Sequence, residues 1–593
     1  MHPNPAGARD ARDAQCDADG ADGVEIDVDY QSLTFDYIRH PDQSAVPPLR
    51  RPVVVVGAGP VGLALAIDLA QRGVPVVLLD NDNTLSTGSR AICFAKRTLD
   101  IFDRLGCGER MVAKGVSWSV GKVFFKEALI YSFDLLPEAG HARPAFINLQ
   151  QYYVEGYLAE RAAQLPLIDL RWNNQVTGVA QHADHVTLTV ETPDGPYQLE
   201  AEHVAACDGG RSALRQLIGQ ESKGRVFRDR FLIADVRVVE VEAGAEAPVE
   251  RWFWFDPAFH PNQSVLLHRQ PDGIWRIDFQ LGWDADPVEE KKPEAIIPRV
   301  QALLAHSSMK GAAFELVWAS VYTFACQRME HFRHGRVIFA GDAAHGVSPF
   351  GARGANSGVQ DAENLAWKLA AVVGGHAPEA LLDSYAAERE YAADENIRES
   401  TRASDFITPK SEISRLFRDA VLELAKTQPF ARTLVNSGRL SVPATLHGSA
   451  LNTPDVDAGG AAFAGLMVPG AAAADAPVQR ADGSRSWLLR ELGAGFTALI
   501  AVGSVGAAGT ALTRSLRGLR GAGSALTVLR VVTGSGAADH GALIDTEGVL
   551  TRRYDLRPGT VFLFRPDQHV CARWRQPTVA QVEVAIARAL TIT

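Results

Sequence analysis

The feature that most constrains the fold is a run of four valines that leads directly into a glycine-rich turn and an apolar helix. The valines occupy residues 53–56, the turn at residues 57–62 reads GAGPVG, and the helix candidate reads LALAIDLAQRG. A second apolar strand follows at residues 74–79. Because β-branched residues occupy both faces of the first strand, both faces have to be buried, as in a parallel sheet covered by helices. The sequence therefore predicts a β-α-β unit.

The turn has the G-x-G-x-x-G spacing of a dinucleotide-binding motif. Gly57 permits the tight turn, Gly59 lets the backbone approach a pyrophosphate, and Gly62 lets the helix pack closely on the sheet. The N-terminus of that helix then faces the anion. Asp80 follows the second strand, where its carboxylate can accept hydrogen bonds from a ribose 2′-hydroxyl. A carboxylate here disfavours a 2′-phosphate, so the motif predicts FAD or NAD and leaves that choice open.

The composition is that of a globular protein and excludes several other classes. Of the 593 residues, 46% are hydrophobic and 22% are charged, and the formal net charge of -11 gives no support for a nucleic-acid or anionic-membrane partner. The six cysteines contain no C-x-x-C pair, which argues against a zinc ribbon. Such sparse, scattered thiols are typical of proteins in a reducing cytosol. No signal peptide or membrane span is recognisable. We expect a cytoplasmic protein without a metal site.

The composition and the predicted secondary structure change several times along the chain. The first 29 residues hold eight acids and two arginines, which predicts a disordered acidic leader. From about Arg225 to Thr323, strands separated by Pro, Asn, Asp and Gly turns predict a mostly antiparallel sheet inserted between two α/β segments. Residues 352–407 have helical periodicity. Residues 455–485, rich in Ala, Gly and Pro, are typical of a linker before a small α/β domain.

Two later motifs narrow the choice of cofactor. A DG motif, Asp208-Gly209-x-x-Ser212-x-x-Arg215, follows a strand candidate, and a GD motif lies in RVIFAGDAAHGVSPFGARGANSG. In this order and at these separations, the three motifs resemble those of the class A FAD-dependent aromatic hydroxylases, of which the para-hydroxybenzoate hydroxylase group is the prototype. The resemblance covers residues 51–406 and implies FAD.

The resemblance also implies which residues contact the cofactor. Asp208 would serve both FAD and the pyridine nucleotide, and Asp342 would hold the ribityl chain. A helix that begins near Gly354 would turn its free amides toward the N1/O2 edge of the flavin, and Arg353 would add positive potential. The FAD assignment rests on Gly57, Gly59, Gly62, Asp80, Arg90, Gln151, Asp208, Gly341, Asp342, Arg353, Gly354, Ala355 and Asn356.

The substrate is expected against the inserted sheet, on the face toward the flavin. Candidates for a base or hydrogen-bond partner are His268, Tyr322 and, for an acidic substrate, Arg276. Pro349, which opens the loop that resembles the flavin-ring loop, completes the candidate catalytic residues. Each sheet residue has the alternative of a packing or solvent-facing role. Aromatic residues nearby either wall a pocket or belong to the core: Trp252, Trp254, Phe255 and Trp275.

The resemblance implies the activity as well. Family members reduce FAD with NAD(P)H, capture O2 as a flavin C4a-hydroperoxide and hydroxylate a phenolic ring ortho or para to its hydroxyl. We predict an NAD(P)H-dependent aromatic monooxygenase of aromatic catabolism, most similar to the 3-(3-hydroxyphenyl)propionate, resorcinol and phenol hydroxylases. The open alternatives are an aromatic polyketide tailoring hydroxylase, a flavin oxidase or reductase without oxygen insertion, and a non-catalytic flavin protein. The phenol, the choice between NADH and NADPH, and a homodimer also stay open.

The predicted fold is α/β, with an FAD-binding Rossmann-like (GR2-type) domain, an interleaved antiparallel-sheet substrate domain and a C-terminal domain. The C-terminal domain resembles the thioredoxin-like domain appended to phenol hydroxylase, but Cys571 is its single cysteine, which excludes thioredoxin redox chemistry. The predicted boundaries are a leader at 1–33, the FAD-binding domain at 34–224 and 324–455, the substrate domain at 225–323, and the C-terminal domain at 466–593.

Overall fold

The computed structural model describes residues 33–88, 90–238, 249–307, 309–435, 440, 442–455, 462–503, 507–533 and 541–592. Within these ranges the chain forms the predicted mixed α/β fold, built on three large sheets. The predicted acidic leader lies outside the described residues, apart from its last residue, Leu33. No helix of the described ranges is long and apolar enough to cross a lipid bilayer.

The chain before the inserted sheet alternates short strands with helices. Its strands are β1 (Arg50–Val56), β2 (Val76–Leu79), β3 (Cys93–Ala95), β4 (Val116–Trp118), β5 (Val120–Phe125), β6 (Ala128–Asp134), β7 (Phe146–Asn148), β8 (Ile168–Arg171), β9 (Gln175–Gln181), β10 (Val186–Glu191) and β11 (Tyr197–Ala206). Its helices are α1 (Pro60–Gln71), α2 (Lys96–Leu105), α3 (Gly108–Lys114), α4 (Gln151–Ala163) and α5 (Ala213–Leu217).

The middle of the chain contributes long strands and then long helices. The elements are β12 (Ser222–Val238), β13 (Arg251–Phe255), β14 (Ser264–Arg269), β15 (Ile274–Leu281), α6 (Pro287–Glu290), α7 (Pro293–Ala305), β16 (Phe314–Met329), β17 (Arg333–His334), β18 (Val337–Phe339), β19 (His345–Gly346), α8 (Gly354–Val373), α9 (Leu381–Ile407), α10 (Glu412–Ala425) and α11 (Pro429–Val435).

The first sheet is centred on the valine strand, β1. Strand β1 pairs in parallel with β2 on one side and with β11 on the other, and β18 adds in parallel next to β11. The four valines at residues 53–56 are at most 6% exposed. Burial on both faces is what a β-branched strand without alternation requires, and α1 joins β1 to β2 as predicted.

The second sheet contains the inserted strands in the order β19-β16-β12-β15-β14-β13-β5-β6. The predicted mostly antiparallel pairing is observed within the insert. The sheet also recruits the β5–β6 hairpin from the preceding segment, because β5 pairs in parallel with β13. Sequence analysis assigns residues 120–134 to the FAD-binding part, since nothing in their local pattern reveals a partner strand more than 100 residues away.

The C-terminal part forms a third sheet, in the order β21-β20-β26-β25-β22-β27-β28. Its elements are β20 (Pro477–Gln479), β21 (Arg485–Trp487), α12 (Leu488–Glu491), β22 (Thr497–Val502), α13 (Ala507–Leu516), β23 (Arg520–Gly521), β24 (Ser524–Ala525), β25 (Thr527–Val532), β26 (Leu543–Ile544), α14 (Val549–Tyr554), β27 (Val561–Phe564), β28 (Val570–Trp574) and α15 (Val579–Ala589). Part of the stretch with linker-like composition packs on this sheet, since Ala473 and Ala476 are buried there.

Candidate functional site

The glycine turn has the geometry of a close-packed turn with one open side. Gly57 has a φ of +103°, and a Cβ there would lie 2.4 Å from the carbonyl oxygen of Cys207. A Cβ on Gly62 would lie 1.8 Å from the carbonyl oxygen of Gly57. Gly59, in contrast, has no atom within 4 Å of where its Cβ would be. The turn therefore needs glycine for packing at two positions and leaves the third accessible to a ligand.

Asp80 stands beside this turn, at the carboxyl end of β2. Its Oδ2 accepts a hydrogen bond of 2.5 Å from the amide of Ala58, and its Oδ1 accepts one of 2.9 Å from the amide of Asp82. Burial raises the pKa of Asp80. The carboxylate is thereby held in a fixed orientation at the edge of the sheet where the turn lies.

Two further acids follow the neighbouring parallel strands. Asp208 comes shortly after β11, and its Oδ2 accepts a 3.0 Å hydrogen bond from the amide of Leu214. The other oxygen, Oδ1, is buried without a hydrogen-bond partner, and burial raises the pKa of this carboxyl. Asp342 comes shortly after β18, in a 3-10 turn that begins at Gly341. The carboxyl ends of adjacent parallel strands thus bring the glycine turn, Asp208 and Asp342 to one edge, where α/β sheets bind ligands.

The turn around Gly341 is positioned by a buried triad. Asp361 accepts hydrogen bonds from the amide of Gly341 at 3.0 Å and from Nε of Arg389 at 2.6 Å, and it lies 2.7 Å from Nε2 of His345. Burial opposes ionisation of Asp361, but Arg389 and His345 offset it and lower the pKa of that carboxyl. His345 is buried and, through Asp361, helps to hold this turn in place.

The GD motif leads into a loop and into the N-terminus of α8. Pro349, Arg353, Gly354, Ala355 and Asn356 all line one cavity of about 860 Å³. The amides at the start of a helix have no partner within the helix, so they are available to an anion or to an electron-rich edge. Arg353 is 7% exposed and donates from Nη1 to Oδ1 of Asn396 at 3.2 Å, so it is not a solvent-facing arginine.

Asn356 fastens this helix start to the neighbouring strand. Its Oδ1 accepts hydrogen bonds from the amide of Ala95 at 2.8 Å and from Oγ1 of Thr98 at 2.6 Å. Its Nδ2 donates to the carbonyl oxygens of Cys93 at 2.8 Å and Ala352 at 2.6 Å. The hydrogen-bonding groups of this side chain are thus engaged within the protein, and they hold the loop that we predict to carry the flavin ring.

The opposite wall of the cavity is one face of the second sheet. The cross-strand register aligns Asp235 on β12 with Arg276 on β15, and Arg276 with His268 on β14. The same register continues to Arg251, because its neighbour Trp252 pairs with Leu267. Of this polar row, Arg251, His268 and Arg276 line the cavity.

The two faces of the sheet differ sharply in polarity. The residues that alternate with the polar row form an apolar core with α7, and Trp252, Trp254 and Trp275 belong to this core. These tryptophans therefore do not wall the cavity. Phe255 lies on the same face of β13 as Arg251, the face toward the cavity, and packs with Phe350 and Leu266 in a separate hydrophobic cluster.

Asp278 organises the polar row. It accepts hydrogen bonds from Nε and Nη2 of Arg276 at 2.8–3.2 Å, and it lies 3.4 Å from Nε2 of His268. Arg276 also donates from Nη1 to the carbonyl oxygen of Arg90 at 2.8 Å. Burial opposes ionisation of Asp278, but Arg276 and His268 offset it and hold its pKa below the usual range.

The candidate base has the protonation state that a hydrogen-bond acceptor needs. Burial, and then the charge of Arg251, lowers the pKa of His268 to about 4, so its imidazole is neutral at neutral pH. Its Nδ1 is buried without a hydrogen-bond partner, while Nε2 faces Asp278. Burial, together with Asp278, raises the pKa of Tyr322 above its ordinary value, so this phenol keeps its proton.

The structure brings most of the predicted site residues to the one cavity. Lining it are Arg90, His268, Arg276, Tyr322, Asp342, Pro349, Arg353, Gly354, Ala355 and Asn356. The remaining predicted residues lie off its wall: Gly57, Gly59, Gly62, Asp80, Gln151, Asp208 and Gly341. Gln151 accepts a 3.0 Å hydrogen bond from the amide of Ala91 and donates one of 2.7 Å to Glu155, so it holds the segment that carries Arg90.

Two charged residues of this wall, Arg251 and Asp278, are not among the residues predicted from the sequence. Both are at most 3% exposed and line the cavity. The signal is the alternation within RWFWF and IWRIDF, which places each of them on the same face as a residue already considered. Within the described ranges, no group of three or more His, Cys, Asp or Glu side chains is arranged to hold a metal ion.

The residues of this edge fit an FAD molecule. The open side of Gly59 and the start of α1 suit a pyrophosphate, and the buried, unpartnered Oδ1 of Asp208 is an acceptor that lacks its donor. The cavity volume of about 860 Å³ is at the upper end of the range for ligand sites, about 300–1,000 Å³. A flavin ring at the start of α8 would leave the polar sheet face as the wall for a second ligand.

Comparison with known proteins supports this interpretation. A family model described as FAD binding domain matches residues 50–400. A 3-(3-hydroxy-phenyl)propionate/3-hydroxycinnamic acid hydroxylase of Mycolicibacterium smegmatis is 30% identical over 391 residues, which are 65% of this chain and 66% of that protein. A probable NADH-specific resorcinol 4-hydroxylase of Rhodococcus jostii is 34% identical over 346 residues, which are 57% of this chain and 62% of that protein. The matches span just under two thirds of these relatives' lengths.

Similarity to solved structures extends over most of the chain. The flavin-dependent monooxygenase PieE, solved in complex with FAD and substrate, superposes with a TM-score of 0.76. The superposition covers 92% of this chain and all of the other, at 22% sequence identity. At this identity the likeness concerns the fold, and it includes the C-terminal part of the chain.

Proposed function

Because the chain belongs to the family described as FAD binding domain, we propose that it is an FAD-dependent monooxygenase that hydroxylates a phenolic ring with NAD(P)H and O2. The observation that carries the proposal is the single cavity shared by the start of α8 and the polar row of the second sheet. One wall suits a flavin ring, and the other suits a small aromatic substrate with a hydroxyl group.

Bound FAD would supply the redox chemistry that links the pyridine nucleotide to O2. The glycine turn, Asp80 and Asp208 would hold its adenosine and pyrophosphate half, and Asp342 would hold its ribityl chain. The amides of Gly354 and Ala355 would face the electron-rich edge of the ring, and the buried Arg353 adds positive potential there. Asn356 and Gln151 act indirectly, by fixing the segments that carry these groups.

His268 is proposed as the group that accepts a hydrogen bond from the substrate hydroxyl. Its neutral imidazole offers Nδ1 as an acceptor, while Asp278 beside Nε2 fixes the tautomer with the proton on Nε2. Accepting this hydrogen bond increases electron density on the ring ortho and para to the hydroxyl. Tyr322 keeps its proton and serves as a hydrogen-bonding neighbour rather than as a base.

The test is to purify the protein and follow NADH and NADPH consumption with a panel of phenols, while peroxide and product mass are measured in parallel. We expect one class of phenols to accelerate the consumption of NADH or NADPH and to gain a single oxygen atom. Peroxide equal to the nucleotide consumed, with no heavier product, would instead favour the flavin oxidase. Turnover of fused-ring aromatic polyketides but of no single-ring phenol would favour the tailoring hydroxylase. A flavin that NAD(P)H does not reduce, with any phenol present, would favour the non-catalytic flavin protein.

The identity of the acceptor is tested with His268→Ala and Tyr322→Phe. The first is expected to lower both the hydroxylation rate and the fraction of reduced flavin that yields product, since the hydroxyl loses its acceptor. The second is expected to have a smaller effect on both. Unchanged rate and coupling in His268→Ala would remove this residue from the mechanism.

A homodimer is proposed to form through α10. Along this helix Ile413, Leu416 and Phe417 are 80%, 71% and 60% exposed, an unusually apolar face for a surface helix. In an antiparallel pair of α10 helices, Arg415 of each copy would lie near Glu423 of the other, so the charges beside the stripe are self-complementary. Light scattering of wild type and of Leu416→Glu tests this, since a monomeric wild type excludes the dimer.

Location in the cytoplasm is proposed from the cysteines. Those in the described part of the chain, Cys93, Cys107, Cys207, Cys326 and Cys571, are unpaired and buried. Unpaired thiols are usual in a reducing compartment. The formal charge of -11 supports the absence of a nucleic-acid partner. Fractionation of the native host into soluble, envelope and secreted material tests the location.

A further inference from the structure

The polar row of the second sheet contains two arginines in different electrostatic situations. Arg276 is bound by Asp278 through Nε and Nη2, and Asp235 is its cross-strand neighbour on the other side. Its charge is therefore already balanced by the protein. Arg251, at the opposite end of the row beyond His268, has Gly121 as its cross-strand neighbour on β5.

Arg251 is a buried cation with free hydrogen-bond donors. Arg251 is 3% exposed, and its Nε and Nη1 have no hydrogen-bond partner among the described residues. The guanidinium lies over aromatic rings, 4.8 Å from the centroid of Phe253 and 5.8 Å from that of Trp118. Such stacking offsets part of the desolvation cost but satisfies no N–H group.

The nearest acids on the sheet are already engaged elsewhere. Glu250, adjacent in sequence, accepts from Lys122 at 2.7 Å and from the indole of Trp252 at 2.9 Å. Asp278 is occupied by Arg276 and His268. A guanidinium in a dry wall, with Nε and Nη1 unused, is a site for an anion, and a carboxylate accepts charge-assisted hydrogen bonds from arginine.

We propose that Arg251 binds a carboxylate of the substrate, so that the enzyme acts on a phenolic acid rather than on a neutral phenol. This inference rests on the proposed function, since it places the acid group beside the acceptor for the phenolic hydroxyl. Arg251 and His268 are neighbours on adjacent strands of one face, with Cβ atoms about 5 Å apart in such a pair. One substrate edge can then contact both residues.

Arg251 thereby replaces Arg276 as the specificity residue for an acidic substrate. The sequence suggests Arg276 for the role of binding an acidic substrate, but we infer that it is a positioning residue. It holds Asp278, which in turn faces Nε2 of His268. The two arginines are 25 residues apart in the chain and two strands apart in the sheet, so they can be varied independently.

The experiment measures binding, which does not require turnover. Flavin absorbance changes are titrated with 3-(3-hydroxyphenyl)propionate and with the matched neutral alcohol, 3-(3-hydroxyphenyl)propan-1-ol, in wild type, Arg251→Met and Arg251→Lys. Wild type is expected to bind the acid at least tenfold more tightly than the alcohol. Arg251→Met is expected to weaken binding of the acid roughly 30-fold or more and to leave the alcohol within about twofold. Arg251→Lys should recover part of the affinity for the acid.

Arg228→Met is the matched control, because it removes an exposed arginine of the same sheet that does not line the cavity. It should leave both dissociation constants unchanged. Equal binding of acid and alcohol by wild type overturns the inference even if Arg251→Met does not fold. Equal weakening of both ligands in Arg251→Met also overturns it, since Arg251 would then serve the hydroxyl.

The same titrations separate this inference from the proposed function. If the acid binds through Arg251 but is never hydroxylated with NAD(P)H and O2, the carboxylate site stands and the monooxygenase proposal fails. If a neutral phenol is hydroxylated and acids bind no better than alcohols, the monooxygenase proposal stands and the carboxylate site fails.

Discussion

Replacing Arg565 with methionine tests how the C-terminal sheet is attached to the FAD-binding part. Arg565 follows β27 and is fully buried between the two. It donates from Nη1 and Nη2 to the carboxylate of Glu388 on α9, at 2.6 and 3.2 Å. It also donates from Nε and Nη2 to Asp567, at 3.0 and 2.6 Å. Lys368 on α8 completes the cluster, 2.7 Å from Glu388.

The size of the effect follows from the charges in this cluster. Arg565 and Lys368 balance Glu388 and Asp567, and all four side chains are at most 2% exposed. Arg565→Met leaves two carboxylates with one ammonium, and loss of one partner of a buried ion pair costs about 3–5 kcal/mol. For a cooperative unit of about 150–250 residues, each kcal/mol lowers Tm by about 2–4 °C. We expect Tm to fall by about 6–20 °C.

The assay is thermal unfolding followed by flavin fluorescence and by far-UV circular dichroism. Because α8 carries both Lys368 and the helix start that we propose to face the flavin, the temperature at which flavin is released should fall together with the Tm of the protein. Arg552→Met, which removes an exposed arginine of the same C-terminal part, is the control and should change Tm by less than about 2 °C. A similarly small change in Arg565→Met would refute the buried ion-pair account.

Three further predictions concern the cofactor edge and the cavity. Asp342→Ala should be purified with little flavin, measured as the ratio of flavin to protein absorbance, and full occupancy would sink the ribityl assignment. Gly62→Ala should also lose flavin and stability, because its Cβ would lie 1.8 Å from the carbonyl oxygen of Gly57, whereas Gly59→Ala should fold normally and lose only flavin. The pKa of His268 is about 4, below the 6.5 of an unperturbed histidine, so the unfolded chain takes up the proton first. The stability present above pH 6.5 is then lost as the pH falls toward 4, and this loss amounts to about 3 kcal/mol. When the pH is lowered from about 7.5 to 4.5, the Tm of His268→Asn should therefore fall less than the Tm of wild type.

The parts of the site that depend on local pattern can be predicted from the sequence. The valine strand, the glycine turn and Asp80 follow from strand burial and from motif spacing, and the structure places them at one edge of a parallel sheet. The sequence also predicts that His268 and Arg276 lie on the inserted sheet, and the structure places both on the face that lines the cavity. These features depend on periodicity and steric limits that a short stretch of chain already contains.

What depends on tertiary partners cannot be predicted in this way. The sequence offers Arg276 as the arginine for an acidic substrate, but it does not show that Asp278 already occupies Arg276 while Arg251 has two unused donors. The attachment of the C-terminal sheet is similar, since Arg565 meets Glu388 across 177 residues of chain. Pairing of charges at such separations follows from the packing of whole elements rather than from any sequence window.

Turnover of a phenolic acid under ¹⁸O₂ with limiting NADH or NADPH is the decisive measurement for the proposed monooxygenase. We expect a product that carries one ¹⁸O atom, in an amount that matches the nucleotide consumed and that depends on the acid being present. Hydrogen peroxide in the same amount as the nucleotide, with the acid recovered unlabelled, would contradict it.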